Sequence, residues 1–344
     1  VNMNKFIKSF MFSVVAIFLI SSSANAFKLG MAVGGHACCE WMKSQGDVAR
    51  AIAEKKGWDY FELSNEGDSA TSVKNAQLFV QEGVDALIQF NGEPGTNAAI
   101  QQILGAAGIP VVTYDIAEEG MYFVGIDNLG AGIAGGEGLG KLVKEKWNCE
   151  PDLVVSAEGA GAGIVNTWRT GGMRTGLGNI CPDIPAEKYI SFESNGDAAA
   201  GLAPARDLLA ANPDAVRIAV VGLNDGGVLA LVNAAEQLGR ADEVMAWGQD
   251  GAFITGDNVN SHLVGSVFYF LEGYAVYAIR DVIDAIAAGN PPPVKWEADD
   301  PASQVKPCPA TAAEAQLVPV EAERVKQLLA APIGTTAYDL FCAN

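Results

Sequence analysis

Polar side chains that suit a hydroxylated ligand recur just after the apolar, β-branched runs of this chain. His36, Cys38, Cys39, Glu40 and Trp41 follow the run 29–33, and Asn91 and Glu93 follow 86–90. Asp115 follows 111–114, Asn224 and Asp225 follow 218–221, Gln249 and Asp250 follow 244–247, and Tyr269 ends 264–270. Carboxylates and amide oxygens accept hydrogen bonds from hydroxyls, while Asn, Gln and Arg donate to them. Adjacent ring hydroxyls fit the fork of a carboxylate or guanidinium. A hydrogen bond with a charged partner contributes roughly 1.5–3 kcal/mol. A few of them therefore reach the ~8 kcal/mol of a micromolar site after the cost of closure. Asn and Asp also cap helices, and for any one of these residues both readings stand. Polar residues after five runs and Tyr269 at the end of a sixth, spread over both halves of the chain, favour a shared ligand.

The elements that must position these residues are legible in the apolar pattern. The runs 29–33, 60–63, 86–90, 111–114 and 122–126 are followed by a second series at 153–156, 189–192, 218–221, 244–247 and 264–270. Continuous apolar runs suit buried parallel strands. Helical stretches lie between them, at 69–82 with Val73, Ala76 and Val80 on one face, at 96–107 and at 226–238. This alternation predicts an α/β fold of open parallel sheets covered by helices. Ten strands exceed one such sheet, and the break is expected near 128–151, giving two similar halves in tandem. In such sheets ligands sit beyond the carboxyl ends of the strands. Asn290-Pro291-Pro292-Pro293 stops the last clear helix. Pro301, Pro307 and Pro309 are expected to keep the tail irregular up to a short helix at 321–329, as a strap across the surface.

Composition narrows the function classes. The 344 residues carry 22 Lys and Arg against 41 Asp and Glu, a formal charge of −19, and 49% are hydrophobic. Such a chain has material for real cores. It lacks the basic face that nucleic acid requires, and its acidity disfavours docking on anionic lipid. Lys5 and Lys8 precede an apolar run over 10–20, and Ser21-Ser22-Ser23-Ala24-Asn25-Ala26 then supplies small residues before Phe27. That is the layout of a secretory signal peptide over residues 1–26, with an uncleaved anchor as the alternative. The apolar run falls short of the ~20 residues that span a bilayer. Export to the periplasm is the expectation, and the six cysteines then read as disulfide partners. Cys308 pairs with Cys342 across the tail, and Cys149 with Cys181 across one strand–helix unit. Cys38 and Cys39 remain, as a strained vicinal bond or as two thiols.

Several segments resemble the type I periplasmic binding proteins of sugar ABC transporters, the ribose- and galactose-binding cluster. They are Leu29 to Gly46, Gly108-Ile109-Pro110-Val111-Val112-Thr113-Tyr114-Asp115 and Val124-Gly125-Ile126-Asp127-Asn128. Arg169-Thr170-Gly171-Gly172-Met173, Leu223-Asn224-Asp225 and Trp247-Gly248-Gln249-Asp250-Gly251 complete the set. The resemblance covers Phe27 to about Pro293. It implies two Rossmann-like lobes with a three-crossing hinge near Asp127–Asn128, near Tyr269–Leu271 and after Pro293. The first lobe would take 27–127 plus about 270–293, and the second 128–269 plus about 294–344. It also implies that Asp115, Arg169, Asn224 and Asp250 are the main hydroxyl-binding groups, with Asn91 nearby. A sugar would close the lobes, and the closed monomer would dock on a membrane permease. Signal capture by a membrane chemosensor is also found in this family. The loop after the first strand departs from the ribose binders, with Ala37, Cys39 and Glu40 where they carry an Asn and two Phe. A Cys38–Cys39 bond with Trp41 beside it would then supply the stacking surface. Tyr269 replaces a Gln, and Gln249 stands where a stacking aromatic is usual. The anchoring pattern is kept while the shape-selecting groups change, which argues against ribose itself.

Other readings carry less. Gly130-Ala131-Gly132-Ile133-Ala134-Gly135 matches the dinucleotide fingerprint, yet no acidic residue ends a following strand at the required distance. A helix packed closely on its sheet explains the match, and no cofactor is expected. His36 and His262 sit on unrelated loops, so a Ser-His triad is not supported, and the chain reads as a receptor that does no chemistry. His36, Cys38, Cys39 and Glu40 also form a soft-metal set, which keeps a metal receptor as an alternative, alongside a nucleoside or another hydroxylated signal as ligand. Trp168 and Trp247 read equally as pocket walls and as packed core.

Overall fold

The computed structural model describes residues 26–34, 40–92, 95–252, 262–296 and 304–342. Each of the ten apolar runs forms a strand: β1 (Lys28–Val33), β2 (Asp59–Ser64), β3 (Ala86–Gln89), β4 (Val111–Tyr114) and β5 (Tyr122–Ile126), then β6 (Leu153–Glu158), β7 (Tyr189–Glu193), β8 (Ile218–Gly222), β9 (Val244–Asp250) and β10 (Leu263–Phe268). Central strands such as β5 and β8 are buried along their whole length. Burial on both faces is why they read as unbroken apolar runs rather than as alternation.

Between the strands lie α1 (Glu40–Lys56), α2 (Ser69–Glu82) and α3 (Thr96–Ala106), then α4 (Asn128–Trp147), α5 (Ile164–Ile180), α6 (Leu202–Ala211) and α7 (Asp225–Gln237). Two six-stranded sheets result. The first has the order β2-β1-β3-β4-β5-β11, where β11 (Gln304–Val305) comes from the tail. The second has the order β7-β6-β8-β9-β10-β12, where β12 (Cys308–Thr311) follows β11 directly. Pairings within both sheets are parallel, apart from the antiparallel β10–β12 ladder. The shared strand order makes the halves repeats of one another. In each, the order reverses beside the leading strand, where a crevice opens at the carboxyl ends.

The chain passes between the sheets across Asp127, from β5 into α4, and again across 269–271, from β10 into α8 (Glu272–Tyr277). A third passage crosses 306–307, from β11 to β12. Helix α4 packs on β9, β10 and β12, whereas α8 packs on α1 and β5. A π-helical segment, Ala278–Ile283, continues α8 into α9 (Asp284–Ala287).

The region 128–151, expected as a break, is mostly the 20-residue helix α4. Asp127 starts it, its Oδ1 accepting from the Gly130 amide at 2.8 Å. Interior glycines normally weaken a helix, but here they let α5 approach. A Cβ on Gly136 would lie 2.1 Å from the Met173 carbonyl oxygen, and one on Gly176 would lie 2.1 Å from that of Ile133. Within the dinucleotide-like run, a Cβ on Gly132 would lie 2.4 Å from the Arg169 carbonyl oxygen of α5 and one on Gly135 would lie 2.9 Å from Val267 of β10, so the run packs on both the neighbouring helix and the sheet. Cys149–Cys181 ties the ends of these two helices, with Cα atoms 5.3 Å apart.

The tail is more regular than its prolines suggest. Pro309 lies within β12 opposite Val267, on the edge of the second sheet, where a residue without an N–H is tolerated. The tail is also divided between the two sheets rather than kept with the second. Helix α10 (Ala312–Ala315) packs on β10 and β12, and α11 (Glu321–Ala330) returns across 316–320 to pack on α8. Helix α12 (Ala337–Phe341) is held by the Ala337 amide, which donates to the Tyr277 hydroxyl at 2.8 Å. Cys308–Cys342 forms as expected, with Cα atoms 6.0 Å apart. Among the described residues no helix is long and apolar enough to cross a membrane.

Candidate functional site

Asp115 leaves β4 with φ 52°, a left-handed conformation that Asp tolerates better than most residues. The turn aims its carboxylate back toward the hinge. Oδ1 accepts from the Ile126 amide at 3.3 Å and from the Tyr274 hydroxyl at 3.2 Å. Ile126 precedes the first crossing and Tyr274 lies just beyond the second. Burial pushes the Asp115 carboxyl above its ordinary value, while Arg169, the Ile126 amide and Tyr274 pull it back.

Arg169 projects from α5 and is 8% exposed. Its Nε donates to Asn128 Oδ1 at 2.7 Å and one terminal nitrogen donates to the Leu223 carbonyl at 3.4 Å. The guanidinium lies 4.5 Å from the centroid of the Tyr269 ring. Burial opposes its charge, but Tyr269, Asp115, Tyr274 and Asp250 outweigh that, and it stays cationic. Tyr269 is fully buried, and its hydroxyl donates to Gln249 Oε1. The ring is thus presented to Arg169 while the hydroxyl is already engaged.

Asp250 ends β9 at φ 92°. Its Oδ1 accepts from the Ala252 amide at 2.9 Å. Burial raises its carboxyl to about 6, against the pull of that amide, Arg169 and Asp225. Asp225 sits behind it with no exposure, accepting from Ser266 Oγ at 2.6 Å. Asn224 is the N-cap of α7, its Oδ1 accepting from the Gly227 amide at 2.8 Å and its Nδ2 donating to the Gly196 carbonyl at 2.9 Å. The cap reading holds, and Asn224 also lines the cavity described next.

A cavity of about 280 Å³ lies between the carboxyl ends of the two sheets. Asp115 enters from the first sheet, Asn224, Asp250 and Arg169 from the second, and Tyr269 from the second crossing. Met42, Phe90, Ile116, Val165 and Leu223 supply apolar walls that the sequence reading had not singled out. Phe90 had a usable signal, because it directly follows β3. Tyr274, which bonds Asp115 from 159 residues away, had none, and the resemblance marked Asn128 only as part of a crossing, without its bond to Arg169 41 residues away.

Among the described residues, Asn91, Trp168 and Trp247 do not line this cavity. Asn91 is 2% exposed and lies behind the cavity wall, its Oδ1 accepting from Ser72 Oγ and its Nδ2 donating to Asn97, both at 3.4 Å. Trp168 is half-buried on α5 and is not among the cavity-lining residues. Trp247 is core, wedged against positions where a Cβ on Gly138 or Gly265 would lie 2.5 or 2.4 Å from its ring. His36, Cys38 and Cys39, with their vicinal bond and soft-metal set, lie outside the described residues, as do Glu93 and the signal segment up to residue 25. Glu40 and Trp41 open α1, and their side chains too lie outside the description. Among the described residues no group of three or more His, Cys, Asp or Glu could hold a metal ion.

Comparison with known proteins agrees with this geometry. Residues 38–291 match the family described as periplasmic binding protein domain. The ribose import binding protein of Bacillus subtilis (strain 168) is 27% identical over 202 residues, which are 58% of this chain and 62% of that protein. The chain thus spans under two thirds of the curated relative it matches. An ABC transporter periplasmic solute-binding protein from Actinobacillus succinogenes 130z, solved with D-allose, superposes with a TM-score of 0.70 at 19% identity, over 84% of this chain and 98% of that one. A solute-binding protein from Bacillus halodurans C-125, solved with myo-inositol, gives 0.65 at 17% identity, over 90% and 99%. A galactofuranose-binding protein gives 0.70 at 21% identity, over 90% and 100%. The paired sheets, the hinge passages and the family match lead to one conclusion: this chain belongs to the periplasmic binding protein family.

Proposed function

We propose that this protein is an exported solute receptor that captures a monosaccharide or related polyol between its two sheets and delivers it to an ABC permease. Residues 1–26 direct export, and the protein works in the periplasm without performing chemistry. The observation that carries this reading is the convergence of Asp115, Arg169 and Asp250 on one cavity from opposite sheets. Two carboxylates and a guanidinium make a set of acceptors and donors suited to vicinal hydroxyls. The walls of Phe90, Met42, Val165 and Leu223 suit the C–H faces of a small ring. Relatives of known ligand support the class, since the proteins cited above are a ribose importer component and binders of D-allose, myo-inositol and galactofuranose.

Capture and closure are linked through the anchors. Asp115 bonds Ile126 and Tyr274, and Arg169 bonds Asn128 and stacks on Tyr269, so both grip the segments where the chain crosses between sheets. A ligand bridging Asp115 to Arg169 and Asp250 makes contacts that parted sheets cannot make together. Such differential contacts are what drive closure. A thermal-shift screen across pentoses, hexoses and polyols tests the reading. At least one is expected to raise the melting temperature in a concentration-dependent way. A screen in which no sugar or polyol does so, while a nucleoside or a metal ion does, overturns it.

A further inference from the structure

The second crossing is held from outside the cleft by the tail. Phe270 takes φ 50° there, a conformation that bulky residues rarely adopt. Its ring stacks on Phe268 at 5.5 Å and meets Phe341 of α12 at 5.6 Å. The Arg324 guanidinium of α11 lies 5.5 Å from the same ring. Arg324 also forms a buried ion pair with Glu272, the first residue of α8, and donates to the Pro319 carbonyl at 2.6 Å. The residue after Phe341 is Cys342, bonded to Cys308, which opens β12 just beyond the third crossing. Two consecutive residues at the end of α12 therefore hold two crossings. Arg280 of the π-helical segment fixes the tail in turn, donating to the carbonyls of Leu328 at 3.1 Å and Thr335 at 2.9 Å.

We propose that α11 and α12 form a brace on the hinge, with Arg324, Phe341 and the Cys308–Cys342 bond as its positioning groups, and that this brace sets ligand affinity by limiting how far the sheets part. The inference rests on the receptor reading above for its link to affinity. A hinge free to sample many open arrangements loses more conformational entropy on closing. A braced hinge starts nearer the closed form, and less of the contact free energy is spent on ordering. Phe341 and the Cys308–Cys342 bond do not line the cavity between the sheets, so their effect on binding must act through the crossings, whereas Arg324 also lines an adjoining cavity that shares Asp250 with it.

The test uses the full chain with a fluorophore pair introduced through non-natural residues at exposed Lys74 on α2 and Arg206 on α6, one on each sheet's helical cover. Interlobe distances are measured by single-molecule energy transfer without ligand, and affinity is then measured for the sugar found in the screen. C308A/C342A, Phe341→Ala and Arg324→Met are each expected to broaden the ligand-free distance distribution and to weaken affinity roughly 5-fold or more. Arg324→Lys, which keeps the ion pair with Glu272, is expected to restore both. A distribution as narrow as the parent's in all three variants overturns the brace, even if their melting temperatures fall. The ligand-free distances need no ligand, so a failed sugar screen and a failed brace remain distinguishable.

Discussion

Asp115 and Asp250 both stand at positive φ, and both have carboxyls that burial raises above the ordinary value. Backbone strain and buried charge at the same two positions are costs that fit the proposed ligand site better than a plain core. Asp115→Asn keeps the shape but replaces a charged acceptor, and should weaken sugar affinity about 10–100-fold by titration calorimetry. Asp250 gives a pH signature. Its folded value of about 6 exceeds its ordinary 3.8, so the folded state binds more protons in that window and this group's contribution to stability falls as pH rises through it. Asp250→Asn should therefore melt higher than the parent at pH 7, with the difference shrinking toward pH 4. Sugar affinity of the parent should drop as pH falls through about 6, because the protonated carboxyl loses acceptor strength. The variant should be flatter, with Asp115 supplying the remaining dependence in the same direction. Parallel melting and binding curves for parent and variant across pH 4–7 would contradict this account of Asp250.

The elements were legible where burial made the pattern. All ten strands were visible as apolar runs, and α2 was readable to its last residue because Asp68 caps it and Gly83 ends it. The run 264–270 stops two residues early, at Phe268, because Phe270 turns out of the strand at positive φ. Helix α4 was harder to read, since six glycines look like a linker until the neighbouring helix is in place. Asn91 follows β3 as expected, while its side chain bonds into the polar network of α2 and α3. The order of the tail depends on partners far away in sequence, such as Tyr277 for α12, which no local pattern reveals. The close α4–α5 contact gives a prediction of its own. Gly136→Ala or Gly176→Ala forces a Cβ onto a backbone carbonyl, and overpacking of this kind typically costs about 1–3 kcal/mol. Chemical denaturation should show that loss, while the outward-facing Gly171→Ala, which meets nothing within 4 Å, should not destabilise.

At the scale of the whole molecule, two repeats of one sheet order face each other, and the groups proposed to reach a ligand are the groups that hold the crossings. Asp115 touches Ile126 and Tyr274, which flank the first and second crossings on the side of the first sheet, and Arg169 anchors on the first residue of α4. On the proposed reading binding and closure are one event, and removing either anchor should cost both. The most direct test is titration calorimetry of the best sugar or polyol from the screen, on the parent, Asp115→Ala and Arg169→Ala, with folding of each checked by circular dichroism. Saturable one-to-one binding by the parent and loss of measurable heat in both folded variants is the predicted result. Parent-like affinity in either variant would contradict the claim that the ligand is gripped between the two sheets.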